Sequence, residues 1–207
     1  MRAVLQKVVQ ASVTVNDQIV GKIGPGICVL VGINQTDTQQ DMDYIINKLL
    51  NVRVFEDPNT NSMWKKSVKD MDYQILLVSQ FTLYGKTTKG SKPDFHEAMK
   101  SVESKEFFNR FVQKMGQMYK KDKIETGEFG AMMQVALVND GPVTLQIDSR
   151  KFTYEKTESN KKQDEANQRK AEAKEQRRNK FNSESKTING LTKTNQVDTQ
   201  QDTAEIN

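Results

Sequence analysis

Histidine and cysteine are almost missing from this chain: His96 and Cys28 are the only ones in 207 residues. A zinc site built from His and Cys takes about four ligands, or three and a water, so none can be assembled here without carboxylates. Any Ser–His–Asp or Cys–His arrangement would have to run through His96. A single cysteine excludes an internal disulfide and points to a reducing compartment. No apolar run reaches the roughly 18–20 residues of a spanning helix. The opening MRAVLQKVVQASVTV alternates apolar and polar residues and lacks the continuous apolar stretch of a secretory leader. These absences lead us to expect a cytoplasmic protein with no membrane partner, no metal and no cofactor. Its chemistry would lean on backbone, hydroxyls, carboxylates or the substrate itself.

What is present divides in two. From Glu155 to Asn207 only nine of 53 residues are apolar, and four of those are alanine. Such a stretch cannot bury enough surface to offset its ordering entropy, so 151–207 is expected to be a disordered polar tail. Within it, residues 155–180 carry nine basic and six acidic groups, whereas 181–207 carry two and four. A solvated tail explains this, and so does a salt-sensitive nucleic-acid arm. The first 154 residues carry 20 basic and 17 acidic groups, a mild excess compatible with a polyanionic ligand.

Residues 1–150 read as one α/β domain. Ala3–Val9 and Ser12–Val15 alternate like strands, and Asn16-Asp17-Gln18 turns the chain into Ile19–Val20. The unbroken apolar run Ile27–Ile33 suits a strand covered on both faces. Thr36 or Asp37 is expected to cap a helix ending near Asn51, with Met42, Ile45, Ile46, Leu49 and Leu50 inward. A short strand is expected at Val52–Phe55 and a buried one at Tyr73–Thr82. A second helix starts near Ser101, its apolar side formed by Phe107, Phe108, Phe111, Met115, Met118 and Tyr119. Two strands, Ala131–Val138 and Val143–Ile147, are expected to flank a turn at Asn139-Asp140-Gly141-Pro142.

Four segments have chemical potential. Ser79-Gln80-Phe81-Thr82-Leu83-Tyr84-Gly85 puts hydroxyls and an amide at the end of an apolar strand, where α/β sheets place ligands; a strand leaving the core reads the same way. Gly141-Pro142 joins a residue without a side chain to the one residue that readily accepts a cis peptide, although most such sequences are turns. Phe129, between Gly127 and Gly130, could stack on a base or fill the core. Lys92-Pro93-Asp94-Phe95, with Lys86 and Lys89, suits phosphate contact. Cys28 is expected to be a small buried hydrophobe, His96 structural or exposed, and Trp64 a packing residue.

SQFTLYG at 79–85 and NDGPVT at 139–144, supported by GPGICVLVGI, RVFED, KPDF and FGAMMQV in the same order, closely resemble the D-aminoacyl-tRNA deacylase family. The resemblance covers about residues 1–150. It implies a homodimeric α/β domain with a curved, barrel-like sheet and two main helices. It implies hydrolysis of the ester between a D-amino acid and the 3′-terminal adenosine of tRNA, with achiral glycine also admitted. Gly141-Pro142 would be a Gly-cisPro pair entering the other subunit's site. Ser79, Gln80 and Phe81 would line the pocket of their own subunit, and Phe129, Gly130, Ala131 and Met133 would lie near the adenosine. Thr82 matches a threonine once proposed as nucleophile, although main-chain groups and the substrate's 2′-hydroxyl are favoured. An aminoacyl ester is already activated and needs positioning and oxyanion stabilisation more than a strong nucleophile. Thr82 also has no evident base beside it in the sequence. The alternative is a nucleic-acid-binding protein acting through its basic tail on an inactive deacylase-like core.

Overall fold

A computed structural model describes residues 1–88 and 90–150; the expected tail lies outside the described residues. The order is β1 (Arg2–Val15), β2 (Gln18–Ile23), β3 (Gly26–Gly32), α1 (Gln39–Asn51), β4 (Gln74–Ser79), α2 (Ser101–Met118), β5 (Ile124–Thr126) and β6 (Gln134–Asp148). The six strands form one mixed sheet in the order β2-β1-β3-β4-β5, with β6 paired to β1. β3, β4 and β5 run parallel, and β1 is antiparallel to β2, β3 and β6.

Asn16 and Asp17 both take positive φ, 49° and 62°, and Val15 pairs with Gln18. That is the two-residue turn whose twist matches antiparallel strands, and short Asx side chains tolerate it. The two ends of the strand order then approach each other. A Cβ added at Gly21 in β2 would stand 2.3 Å from the carbonyl oxygen of Thr126 in β5. Only a glycine allows that contact, and it brings the curved sheet close to a closed barrel.

The centre of the sheet, β3 and β4, is buried on both faces, as the unbroken apolar run of β3 requires. On one face Ala3, Leu5, Ile27, Val29, Val31, Ile75 and Leu77 pack under both helices. All five expected residues of α1 are buried there, with Phe107, Phe108, Phe111 and Met115 from α2. On the other face Val8, Ala11, Val13, Val15, Ile23, Cys28, Leu76 and Val78 fill the barrel interior. Alternation along β3 sends Ile27, Val29 and Val31 one way and Cys28 the other. Cys28 is fully buried, and desolvation pushes its thiol up to about 11, so it is an inert core group.

Several expectations are corrected. Thr38 caps α1, not Thr36 or Asp37: the Asp41 carboxylate accepts from the Thr38 amide (2.8 Å) and hydroxyl (2.9 Å). Asp37 instead accepts from the Asn34 amide at 2.7 Å, holding the loop before the helix. Val52–Phe55 makes only an isolated bridge, Phe55 to Lys66. β4 ends at Ser79, and Phe81–Tyr84 forms a 3-10 turn. β5 has too few residues to show a period and was not anticipated. Met118 is exposed, as is Trp64, which sits at φ 61°. No described helix is long and apolar enough to cross a membrane.

Because Gly21 faces main chain, not a movable side chain, Gly21→Ala is expected to lose about 1–3 kcal/mol, the usual range for overpacking. Urea unfolding followed by Trp64 fluorescence will show the loss as a lower midpoint with an unchanged slope.

Candidate functional site

The largest departure from the sequence expectation lies in β6. Asn139-Asp140-Gly141-Pro142 does not join two strands in a hairpin. A single strand, Gln134–Asp148, runs antiparallel to β1 on both sides of it. Gln6 pairs with Thr144 and Val8 with Asn139. Lys7 alone therefore faces the four residues Asp140–Val143, which bulge out of the ladder. Gly141-Pro142 is a cis peptide at the tip, and both residues are exposed. Gly141 has φ 110°, and a Cβ there would stand 2.8 Å from Val143 Cγ2. The position accepts only glycine.

Lys7, which the sequence motifs did not single out, faces this excursion from β1. It follows Ala3 and Leu5 on the core-facing side of β1 and is 4% exposed. Its ammonium lies 2.8 Å from Glu56 and 2.9 Å from Asp140, and 5.5 Å from the centre of the Phe55 ring. It thus ties the first residue of the excursion to the loop after Phe55. Burial pulls the Lys7 pKa down, but the hydrogen bonds to Glu56 and Asp140 outweigh it and raise the value above 10.5. The Lys7 hydrogen bond is also the main reason Glu56 titrates below its ordinary 4.5. A lysine breaking an apolar alternation was the available signal.

The other motifs converge at the opposite end of the sheet. β4 and β5 are parallel, with Leu77 beside Thr126, and the Gly127 amide donates to the Leu77 carbonyl at 3.1 Å. The segments that leave these strands, Ser79–Thr82 and Gly127–Phe129, therefore emerge side by side at their C-terminal ends. The Gln80 amide donates to Val31 O at 2.8 Å, seating the 3-10 turn on β3. Arg2 holds it from below: its guanidinium lies over the Tyr84 ring, donates to Leu83 O at 2.9 Å and pairs with Asp148 at 2.9 Å. Ser79 and Gln80 are half-buried, whereas Phe81 is 56% exposed with its ring edge-on to Phe95.

Thr82 is exposed, and its hydroxyl accepts from the Gln80 side-chain amide at 2.5 Å. An amide cannot take a proton from it, so the contact orients the hydroxyl without activating it. Phe129 is half-buried, its ring 5.8 Å from that of Phe108. One side of Phe129 packs on the core, as the core-filling reading expects, and the rest of the ring faces out. Gly130 is exposed at φ 82°, and Ala131 and Met133 rest on the interior cluster. His96 is exposed, with Nδ1 2.5 Å from Asp94. Among the described residues no three His, Cys, Asp or Glu side chains are grouped to hold a metal.

Gly141-Pro142 does not join this group within one chain. It stands opposite Lys7, level with Ile27, whereas Ser79 is level with Val31, four residues farther along. That is about 13 Å along the strands, with three strand spacings of about 4.8 Å between β6 and β4.

With this geometry in hand, comparison with known proteins is decisive. The family model described as D-Tyr-tRNA(Tyr) deacylase matches residues 4–148. The chain belongs to the D-aminoacyl-tRNA deacylase family. A Drosophila melanogaster D-aminoacyl-tRNA deacylase is 52% identical over 149 residues, covering 72% of this chain and 92% of that one. The Homo sapiens D-aminoacyl-tRNA deacylase 1 is 48% identical, covering 72% and 70%. A solved structure titled c-Myc DNA Unwinding Element Binding Protein matches with TM-score 0.69 and 48% identity, covering 72% of this chain and 98% of that one. A second, titled as a probable eukaryotic D-amino acid tRNA deacylase, shares the fold at TM-score 0.63 and 20% identity, covering 71% and 98%. Family membership makes the chain a hydrolase.

The Lys7 bridge fixes a pH signature. Glu56 titrates below its ordinary value, so its share of stability is present above about pH 4.5 and is lost as the carboxylate protonates. Lys7 titrates above its own, so its share is present below about pH 10.5 and is lost on deprotonation. The stability gap between wild type and Lys7→Met, measured by urea unfolding, is expected to stay level between these limits and to close outside them.

Proposed function

We propose that this chain hydrolyses the ester joining a D-amino acid to the 3′-terminal adenosine of tRNA, together with the same ester of glycine. Water attacks the ester carbonyl, the bond to the ribose oxygen breaks, and that oxygen leaves with a proton as free D-amino acid and tRNA are released. The substrate class is that named for the relatives, and the sequence motifs are intact. The observation that carries the reading is the separation of the two motifs. A pocket lined by Ser79, Gln80, Phe81 and Phe129–Met133 has no Gly141-Pro142 from its own chain within reach, so a site containing both takes the excursion from a second copy.

A homodimer has a surface to form on. β6 pairs only with β1 among the described strands, which leaves its outer edge open. Val9, Ile19, Val20, Val135 and Val138 are exposed on β1, β2 and β6. Ile19 and Val138 line one shallow hollow. An apolar face beside an open strand edge favours a protein partner over solvent.

L- and D-esters carry the same groups, so attraction alone cannot separate them. Discrimination needs an obstruction where the L side chain would point. Main chain at Gly141-Pro142, anchored through Asp140 to Lys7, is such an obstruction, and glycine has nothing to strike it. Main-chain donors and the substrate's 2′-hydroxyl carry the chemistry, while Thr82 is oriented without being activated. The reaction takes place in the cytoplasm and needs no metal or cofactor.

A second reading, nucleic-acid binding through residues 155–180 on an inactive core, draws on residues outside the described ones. It has one support in the DNA-binding title of a relative with this fold.

Release of tyrosine from D- and L-tyrosyl-tRNA tests the proposal. Thr82→Val is expected to keep kcat/KM on the D-ester within about tenfold, a barrier change below about 1.4 kcal/mol. Gly141→Ala, forced off φ 110°, is expected to lose about 100-fold, as misplacement near 1 Å commonly does. Loss with Thr82→Val and retention with Gly141→Ala would reverse the assignment. Deletion of 151–207 separates the two readings: the proposal expects unchanged deacylation, and the second reading expects no deacylation by either form and loss of nucleic-acid retention on deletion.

A further inference from the structure

A cleft of about 390 Å³ opens between α2 and the segment joining β5 to β6, next to the candidate adenosine site. Phe108, Val112 and Phe129 form its floor, and Lys105, Asn109 and Gln113 its helical wall. These last three follow at intervals of four along α2 and so share one face. Lys121 and Glu128 complete the lining. All of these wall and rim groups are exposed, and among the described residues neither lysine has an ion-pair partner. The volume falls within the roughly 300–1,000 Å³ of small-ligand sites. The cleft has an aromatic and aliphatic floor, a pair of side-chain amides and two cations on one patch. Single-stranded RNA is recognised through such groups: a base face to cover, base edges to bond and phosphates to neutralise.

We propose that this cleft is a second nucleotide subsite, holding the residue immediately 5′ of the terminal adenosine in the single-stranded 3′ end of tRNA. The assignment rests on the proposed function and on the expectation, from the family resemblance, that Phe129 lies near the terminal adenosine. Phe129 belongs to both places, so a strand whose last base lies on one side of it has its preceding nucleotide at the cleft. Lys105 and Lys121 each meet one backbone phosphate. Glu128 repels phosphate and accepts from an exocyclic amine, the group that cytosine presents and uracil lacks. The preceding nucleotide is a cytidine in every tRNA, which fits this carboxylate.

Fluorescence anisotropy with 5′-labelled RNA tetranucleotides ACCA and ACUA, and the full chain as it stands, tests this without any catalytic step. Wild type is expected to bind ACCA more tightly than ACUA. Lys105→Ala/Lys121→Ala is expected to lower the slope of log affinity against log salt by about 1.4, at about 0.7 for each phosphate contact on single strands. Glu128→Ala is expected to remove the preference for ACCA. An unchanged salt slope in the double variant, equal preference in wild type, or no binding of ACCA by wild type overturns the subsite. Deacylation of D-tyrosyl-tRNA is read separately. A chain that binds ACCA with these dependences but releases no tyrosine refutes the proposed function and leaves the subsite standing. Thermal midpoints of the variants, expected to match wild type because all three side chains are exposed, separate lost contacts from lost fold.

Discussion

The ladder between β1 and β6 governs the molecule. It crosses the sheet as one long antiparallel pairing, and its regularity fails only around Val8. There a single residue of β1 faces four of β6, and the surplus becomes the Gly141-Pro142 excursion. A bulge of this size leaves backbone groups unpaired and would ordinarily wander. Lys7 prevents that, because its buried ammonium is held between Asp140 and Glu56. Burying a charge is costly unless it is paired, and this pairing fastens the excursion to the rest of the domain.

The same ladder explains why the β1 core face changes partway along. Ala3 and Leu5 point beneath the helices, while Ala11, Val13 and Val15 point into the barrel. The change of register near Val8 converts one alternation into the other. A sheet that nearly closes on itself thereby has helices over one half of β1 and barrel interior under the other half. The contact of Gly21 with Thr126 completes the closure. These features together put Ser79–Thr82 and Gly127–Phe129 at one end and Gly141-Pro142 at the other.

This polarity constrains catalysis. A pocket of hydroxyls, amides and aromatic rings can position an activated ester without a strong base, which suits a chain with one histidine. It cannot by itself tell mirror images apart. Under the proposed function, the obstruction that would do so is the main chain at Gly141-Pro142, on the far side of the sheet, and a second copy docked on the open edge of β6 would bring it. The subsite proposed along α2 would extend the same logic outward, from the ester to the strand that carries it.

Much of this was legible in the residues. Periodicity located both helices and the inward side of α1, because burial of one stripe leaves a 3.6-residue signature. Asn16-Asp17 announced its turn through residues that accept positive φ, and the unbroken run of β3 announced burial on both faces. The two long motifs pointed to the family and to Gly141-Pro142. Other features belonged to the tertiary structure. A hairpin and a bulge have the same local sequence, and only pairing with β1 on both sides shows that β6 continues through Asn139–Pro142. Lys7 acquires meaning from Glu56 and Asp140, which are distant in the chain. β5 is set by its neighbour β4, not by any pattern of its own. Local sequence determines which residues seek burial or turn the chain, whereas long-range pairing decides which of them meet, and only folding brings that about.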